Sequence, residues 1–133
     1  MAHTHEILAR QLWEAVAEGD AERLGELLAE DVVWVSVGHS WLSGEHRGPD
    51  GVLDYLARIG EGTAELSSAL NGVYSSDDGA VLIYHVSARR DLKRLEADIA
   101  LILSFRDGQV SNAVSVPFDQ KINDEFWGDE PSG

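Results

Sequence analysis

The chain of 133 residues contains no cysteine. This absence excludes disulfide bonds, thiolate zinc sites, iron–sulfur clusters and thiol nucleophiles together. Basic residues are also scarce, because 10 Lys and Arg stand against 24 Asp and Glu, giving a formal net charge of −14. Proteins that bind nucleic acids or anionic membranes need basic patches. We therefore expect neither nucleic acid nor membrane among the partners.

Long apolar runs are missing as well. The longest, residues 80–84 and 99–103, have five residues each, whereas a membrane span needs about 20. The first residues lack the basic and apolar segments of a signal peptide. Because 44% of the residues are hydrophobic, as in globular proteins, the composition predicts one domain over residues 1–127. It also predicts a flexible tail over residues 128–133 and a cytoplasmic location.

The first half of the chain has the apolar spacing of helices. Residues 4–18 form an amphipathic pattern, and Asp20 is a suitable N-cap for a second, short helix. Residues 32–37 are β-branched and aromatic, which predicts a strand, and residues 38–48 form a glycine-containing loop. Pro49 then favours the start of a third helix.

The second half has the composition of strands. Residues 65–75, 80–90, 94–106 and 109–118 are strand-like and are separated by turn residues. We expect the last three to form an antiparallel meander, followed by a short helix that begins after Asp119. The order predicts an α+β fold, with helices packed on one face of a curved, mostly antiparallel sheet.

Both faces of this sheet are predicted to be apolar. In residues 80–90, one face carries Val81, Ile83 and His85, and the other carries Leu82 and Tyr84. A sheet with one face in water alternates apolar and polar residues, and this one does not. We therefore expect a homodimer through the outer sheet face. The alternative is that a helix of the same chain covers that face.

Several strings resemble the SnoaL-like domain family in their order and spacing. They lie at residues 18–20, 27–34, 42–52, 105–110, 119–120 and 124–127. The family belongs to the superfamily of nuclear transport factor two, ketosteroid isomerase, limonene epoxide hydrolase and polyketide cyclases. The resemblance implies a cone-shaped α+β barrel around a deep, mostly apolar pocket, usually in a dimer. It does not imply one reaction, because the scaffold hosts several.

The catalytic groups of two relatives are replaced in this chain. By resemblance to ketosteroid isomerase, the base falls on Ser36, and the two hydrogen-bond donors fall near Leu12 and Leu101. By resemblance to the epoxide hydrolase, its polar groups fall on Trp34, Ser36, His85 and Ser87, with one more near Ser115 or Val116. Neither mechanism can operate with these residues.

His85 is the remaining candidate for proton transfer. The resemblance implies that it faces the pocket, where an imidazole could move a proton to or from a substrate. Asp98 is its candidate partner: if residues 92 and 93 form the turn, residue 85 pairs with 100 and Ser87 with Asp98, so the three side chains share a face. A shift of one residue would move Asp98 to the opposite face. The alternatives are a buried structural His85 and a solvated or interface Asp98.

Nine further residues are candidates for substrate binding because the resemblance or the strand pattern places them near the pocket or its mouth. They are Trp34, Ser36, His39, Trp41, Tyr55, Ser87, Leu101, Asn112 and Val116. Packing in the core is the alternative for Trp34, and helix packing is the alternative for Tyr55. An exposed loop residue without a function is the alternative for His39. For Asn112, Ser115 is the competing inward-facing residue.

These observations predict a small, cofactor-free enzyme that binds a hydrophobic, oxygenated small molecule. It would use acid/base catalysis for cyclisation, isomerisation or dehydration, as in polyketide-type secondary metabolism. The histidines lack the spacing of a metal site, so we expect no metal. The alternative function is a non-catalytic small-molecule-binding or dimeric assembly domain of the same fold, for which catalytic carboxylates are unnecessary.

Overall fold

The computed structural model describes residues 2–128. Within this range the chain forms four helices and six strands. In order, they are α1 (Ala2–Glu18), α2 (Ala21–Leu27), β1 (Leu28–Ser36), β2 (Gly44–Arg47), α3 (Gly48–Glu61), β3 (Ala64–Ser75), β4 (Ala80–Arg90), β5 (Lys93–Arg106), β6 (Gln109–Pro117) and α4 (Gln120–Trp127).

The helices begin where the capping residues predict. The Asp20 side chain accepts a hydrogen bond from the backbone N–H of Arg23 at 3.1 Å and starts α2. Asp119 accepts one from the N–H of Ile122 at 3.2 Å and starts α4. Pro49 stands in the first turn of α3, where its missing N–H costs no helical hydrogen bond. The predicted starts of α2, α3 and α4 are confirmed, whereas α1 begins two residues before the predicted residue 4.

The six strands form one mixed, open sheet in the order β2-β1-β6-β5-β4-β3. The run from β3 to β6 is antiparallel, which confirms the predicted meander, and β1 pairs parallel to β6. The α+β fold with a curved, mostly antiparallel sheet is therefore confirmed. The strand β2 was not predicted, because its four residues lie in a segment interpreted as a loop and are extended through pairing with β1.

The β4–β5 hairpin turns one residue earlier than predicted. Arg90 pairs with Lys93, and Asp91 takes a left-handed conformation with φ 56°, which aspartate tolerates better than most residues. His85 therefore pairs with Asp98, so the predicted pairing with residue 100 is wrong. The pairing differs by two residues, and side chains alternate with a period of two. His85, Ser87 and Asp98 consequently share one face, which is one of the two arrangements that the sequence left open.

Helices cover only one face of the sheet, which we call the inner face. α1 packs against β3 and β4, and α3 packs against β1. Between them lie buried apolar side chains that include Leu12, Val52, Leu82 and Leu101. The opposite, outer face carries Val81, Ile102 and their neighbours and has no helix packed on it within residues 2–128.

The C-terminal end of α4 is closed by Gly128, whose N–H donates to the carbonyl of Asp124 at 2.8 Å. The rest of the predicted tail, 129–133, lies outside the described residues. None of the helices in residues 2–128 is both long and apolar enough to cross a membrane.

Candidate ligand-binding site

A cavity of about 1010 Å³ lies between the inner face of the sheet and the helices. This is at the upper end of the range for small-molecule pockets, which is roughly 300–1,000 Å³. Its lining is mostly apolar and comes from α1, α3, α4 and the inner face of the sheet, for example Leu12, Val16, Leu53, Leu82 and Leu101. The space can hold a polycyclic organic molecule.

Seven residues with hydroxyl groups line the cavity, and four of them interact in pairs. We call these four the hydroxyl cluster: Ser36, Tyr55, Tyr84 and Ser115. Ser36 and Ser115 stand side by side because they are partners in the parallel pairing of β1 and β6. The Ser36 hydroxyl interacts with the phenol of Tyr55, and the Ser115 hydroxyl with that of Tyr84. The phenol of Tyr55 is close enough to that of Tyr84 to raise the pKa of Tyr84.

Burial raises the pKa of Tyr55 and of Tyr84 above the usual value for a phenol. For Tyr84, ionisation of the neighbouring Tyr55 would raise the pKa further, and for each phenol the serine partner partly offsets the effect. Both phenols are consequently neutral at neutral pH. Each can donate a hydrogen bond to an oxygen atom placed in the cavity.

Other residues fix the positions of the two tyrosines. The Tyr55 ring stacks on the imidazole of His46 at 4.1 Å between ring centroids, and the Tyr84 ring lies 5.0 Å from that of Trp13. The ring of His46 is in turn held by a 3.1 Å hydrogen bond between its Nε2 and the carbonyl of Leu42. Burial lowers the pKa of His46, although this hydrogen bond opposes the shift. The ring of Tyr55 therefore packs against the neutral imidazole of His46.

His85 and Asp98 lie outside this cavity. Their neighbours in the strands, Tyr84 in β4 and Ile99 in β5, line it, so alternation turns His85 and Asp98 to the outer face. The expectation that His85 faces the pocket is therefore wrong. The polar residues that share its face, such as Glu96, are typical of a face turned away from the core.

On the outer face the imidazole of His85 bridges two carboxylates. Its Nδ1 lies 2.9 Å from Asp98 Oδ1, and its Nε2 lies 3.0 Å from Glu96 Oε1. Ser87 donates to the same Glu96 carboxylate at 2.6 Å. The hydrogen bonds to Glu96 and Asp98 raise the pKa of His85. The predicted His85–Asp98 pair thus exists, but it is separated from the cavity by the sheet.

The substrate-binding candidates divide into two groups. Those that line the cavity are Trp34, Ser36, Tyr55 and Leu101, and Ser115 faces inward rather than Asn112. The remaining five do not line it: His39, Trp41, Ser87, Asn112 and Val116. Three of these, Ser87, Asn112 and Val116, point to the outer face because they alternate with inward residues of β4 and β6. His39 is exposed, and the Trp41 ring packs against the core.

Two tryptophans bury a polar atom without a hydrogen-bond partner. These atoms are Nε1 of Trp34 and Nε1 of Trp41, within the part of the chain that the structure describes. The Trp34 ring lies 6.3 Å from that of Tyr55 and forms an apolar wall beside the hydroxyl cluster. Both rings therefore contribute chiefly through their apolar surfaces.

Sequence reasoning missed Tyr84 and Asn123 as cavity residues. Tyr84 could have been found from its strand, because Ser87 and Arg89 share the face of His85 and mark that face as the polar one. Asn123 had no such signal, since a single asparagine in a short helix is usually exposed. Among residues 2–128, no three His, Asp or Glu side chains are grouped so that they could hold a metal ion.

Comparisons with known proteins identify the family of this chain. Residues 9–113 match the model of the SnoaL-like domain. No curated protein matches the chain. The solved structure of Bal32a, from a soil-derived mobile gene cassette, is 30% identical, with a TM-score of 0.89 over 95% of this chain and 98% of that one.

Two further solved structures share the fold. An NTF2-like protein from Burkholderia xenovorans is 16% identical, with a TM-score of 0.84 over 96% of this chain and 98% of its own. TerC, co-crystallized with polyporic acid, is 18% identical, with a TM-score of 0.79 over 92% and 97%. The match over residues 9–113, together with the cone of helices and strands around one apolar cavity, shows that this chain belongs to the SnoaL-like domain family.

Proposed function

We propose that the cavity binds a hydrophobic small molecule that carries at least one carbonyl or phenolic oxygen. The hydroxyl cluster hydrogen-bonds this oxygen, and the apolar walls enclose the rest of the molecule. The observation that carries the proposal is that four hydroxyl groups, from α3, β1, β4 and β6, interact in pairs inside a mostly apolar cavity. A few convergent polar groups in an apolar pocket are typical of small-molecule sites.

The charges around the cavity favour a neutral ligand oxygen that accepts hydrogen bonds. The lining carboxylates, Glu18 and Asp54, belong to exposed residues, and Asp54 forms an ion pair with Arg58. Deeper in the cavity, the protonated phenols of Tyr55 and Tyr84 are available as donors. A carbonyl oxygen accepts such hydrogen bonds without needing a partner of its own.

The family comparison supports a small organic ligand. TerC, which shares the fold at 18% identity, was co-crystallized with polyporic acid. That fact concerns TerC, and we extend to this chain only the use of the fold for an organic molecule. The identity of the ligand is a separate question, which depends on the side chains that line this cavity.

Catalysis is the second candidate function. Two phenols aimed at a carbonyl oxygen would stabilise negative charge that develops on it, which favours cyclisation, isomerisation or dehydration without a cofactor. A reaction of this kind also needs a base, and His85 and Asp98 lie on the other side of the sheet. We therefore place binding first. If His85→Ala abolished turnover while the fold and ligand binding were retained, His85 and Asp98 would again be the candidate catalytic residues.

The proposal is tested with two four-ring probes, one that carries a carbonyl oxygen and one that does not. Benzanthrone is an aromatic ketone, and benzanthracene is a hydrocarbon of similar shape. We expect the protein to bind benzanthrone more tightly, and we expect the double variant Tyr55→Phe with Tyr84→Phe to lose that preference. Equal affinity for the two probes in the unchanged protein would refute the role of the hydroxyl cluster, and binding of neither probe would refute the ligand site.

We also propose, as the sequence predicts, that the protein forms a homodimer through the outer face of the sheet. We propose the cytoplasm as its location. Ile102 is 44% exposed and Tyr74 is 64% exposed on strands of the sheet. The neighbouring outer-face side chains Val81, Val114 and Val116 are apolar too. Burying this surface against a second copy would remove it from water, as in obligate homodimers.

A further inference from the structure

Asn123 is a buried polar residue that the hydroxyl cluster does not include. It is 8% exposed, and it lines the cavity together with Trp127, one turn further along α4. Its side-chain amide is not among the enclosed polar atoms of residues 2–128 that lack a partner, so the amide is open to the cavity that it lines. A ligand that fills the cavity removes water from this amide, which is unfavourable unless the ligand hydrogen-bonds it. A polar group of the ligand at this position would supply those hydrogen bonds.

The helix that carries Asn123 is held over the cavity from two sides. From the start of β5, Lys93 Nζ donates to the carbonyl of Glu125 at 3.0 Å. From the loop after β1, the N–H of His39 donates to Asp124 Oδ1 at 2.9 Å. Asn123 directly precedes Asp124 and lies two residues before Glu125, so the part of α4 that carries its amide has a defined position relative to the sheet. Such fixed positioning is what selective recognition requires.

Asn123 lies on α4, whereas the residues of the hydroxyl cluster lie on α3 and on strands of the sheet. Ser36 and Ser115 lie within the sheet, whereas α4 follows Pro117 and packs against β5 and β6. An amide offers both a donor and an acceptor, which matches a hydroxyl or carboxylic acid group. We infer that Asn123 is a specificity-determining residue, which selects ligands that carry a second oxygen function apart from the oxygen bound by the hydroxyl cluster.

This inference rests on the proposed function, and its test separates the two. Benzanthrone is compared with its monohydroxylated isomers, with the hydroxyl on each ring in turn. At least one isomer should bind the unchanged protein about two- to twelvefold more tightly than benzanthrone, the effect of one added hydrogen bond. Asn123→Leu should abolish that gain while leaving the affinity for benzanthrone within about twofold. Asn112→Leu, the same change on the outer face, should leave the gain intact.

The outcomes that overturn the inference are distinct from those that overturn the binding site. If no isomer gains affinity, or if the gain survives in Asn123→Leu, Asn123 does not select the ligand, although the cavity still binds it. If neither benzanthrone nor any isomer binds the unchanged protein, the proposed function and the inference fall together. Asn123→Ala replaces the leucine variant if that variant does not fold, because it removes the amide without adding volume.

Discussion

Replacing Tyr84 with phenylalanine tests the hydroxyl cluster one atom at a time. The change removes the phenolic oxygen but keeps the ring, so the packing on Trp13 at 5.0 Å is preserved. One neutral hydrogen bond contributes about 0.5–1.5 kcal/mol. Benzanthrone should therefore bind Tyr84→Phe about two- to twelvefold more weakly. Affinity for benzanthracene should change by less than about twofold, because it carries no acceptor.

The same variant should fold nearly as stably as the unchanged protein. Ser115 loses the phenol as a partner, but its hydroxyl lines the cavity and is not enclosed by apolar atoms alone. We expect the free energy of unfolding to fall by no more than about 1 kcal/mol. Binding is measured by fluorescence titration and stability by urea unfolding.

The matched control is Tyr74→Phe, because Tyr74 is 64% exposed and lies on β3, outside the cavity lining. It should leave both affinities unchanged. The reasoning is refuted if Tyr84→Phe binds benzanthrone as well as the unchanged protein does. It is also refuted if the affinities for ketone and hydrocarbon fall by the same factor, since that result would indicate a change of cavity shape.

Three further predictions concern the outer face and the cluster. The hydrogen bonds to Glu96 and Asp98 raise the pKa of His85. The protonated imidazole should therefore stabilise the fold fully below about pH 6.5, the ordinary pKa of histidine. This stabilisation should be lost as the pH rises through the raised pKa of His85 in the folded protein. His85→Asn should accordingly lower the melting temperature more at acid than at alkaline pH, whereas equal losses at both would contradict the assignment. Ile102→Asp should weaken the proposed dimer by about tenfold or more in sedimentation experiments, while Ile122→Asp, on α4, should not; an unchanged dimer would place the interface elsewhere. In the double variant Tyr55→Phe with Tyr84→Phe, the loss of binding free energy for benzanthrone should differ from the sum of the losses in the two single variants, because neighbouring groups that share one ligand atom are coupled. A loss equal to that sum would indicate that the two phenols make separate contacts.

The sequence was sufficient for most of the fold because its signals are local. Asp20 and Asp119 cap helices through their own side chains, and Asp107-Gly108 turns the chain between β5 and β6. β2 shows the limit of such signals. Its residues are extended because β1 provides hydrogen-bond partners, and no property of four residues can reveal that pairing.

The candidate site was harder to predict because it depends on which face of each strand turns inward. The alternation in β4 separated His85 from Tyr84 correctly, but the resemblance assigned the cavity to the face of His85. Burial decides the question: Leu82 and Ala88 are buried on the face of Tyr84, while Ser87 and Arg89 accompany His85. Asn123 depends on how α4 docks, which is a tertiary property.

The carbonyl stretch of bound benzanthrone, measured by infrared difference spectroscopy with a ¹³C label at the carbonyl, tests the central claim most directly. Hydrogen bonds from the phenols of Tyr55 and Tyr84 should shift this band to lower frequency than in an apolar solvent, and the double phenylalanine variant should return it towards the apolar value. A band at the apolar position in the unchanged protein would contradict the claim that the hydroxyl cluster binds the ligand oxygen.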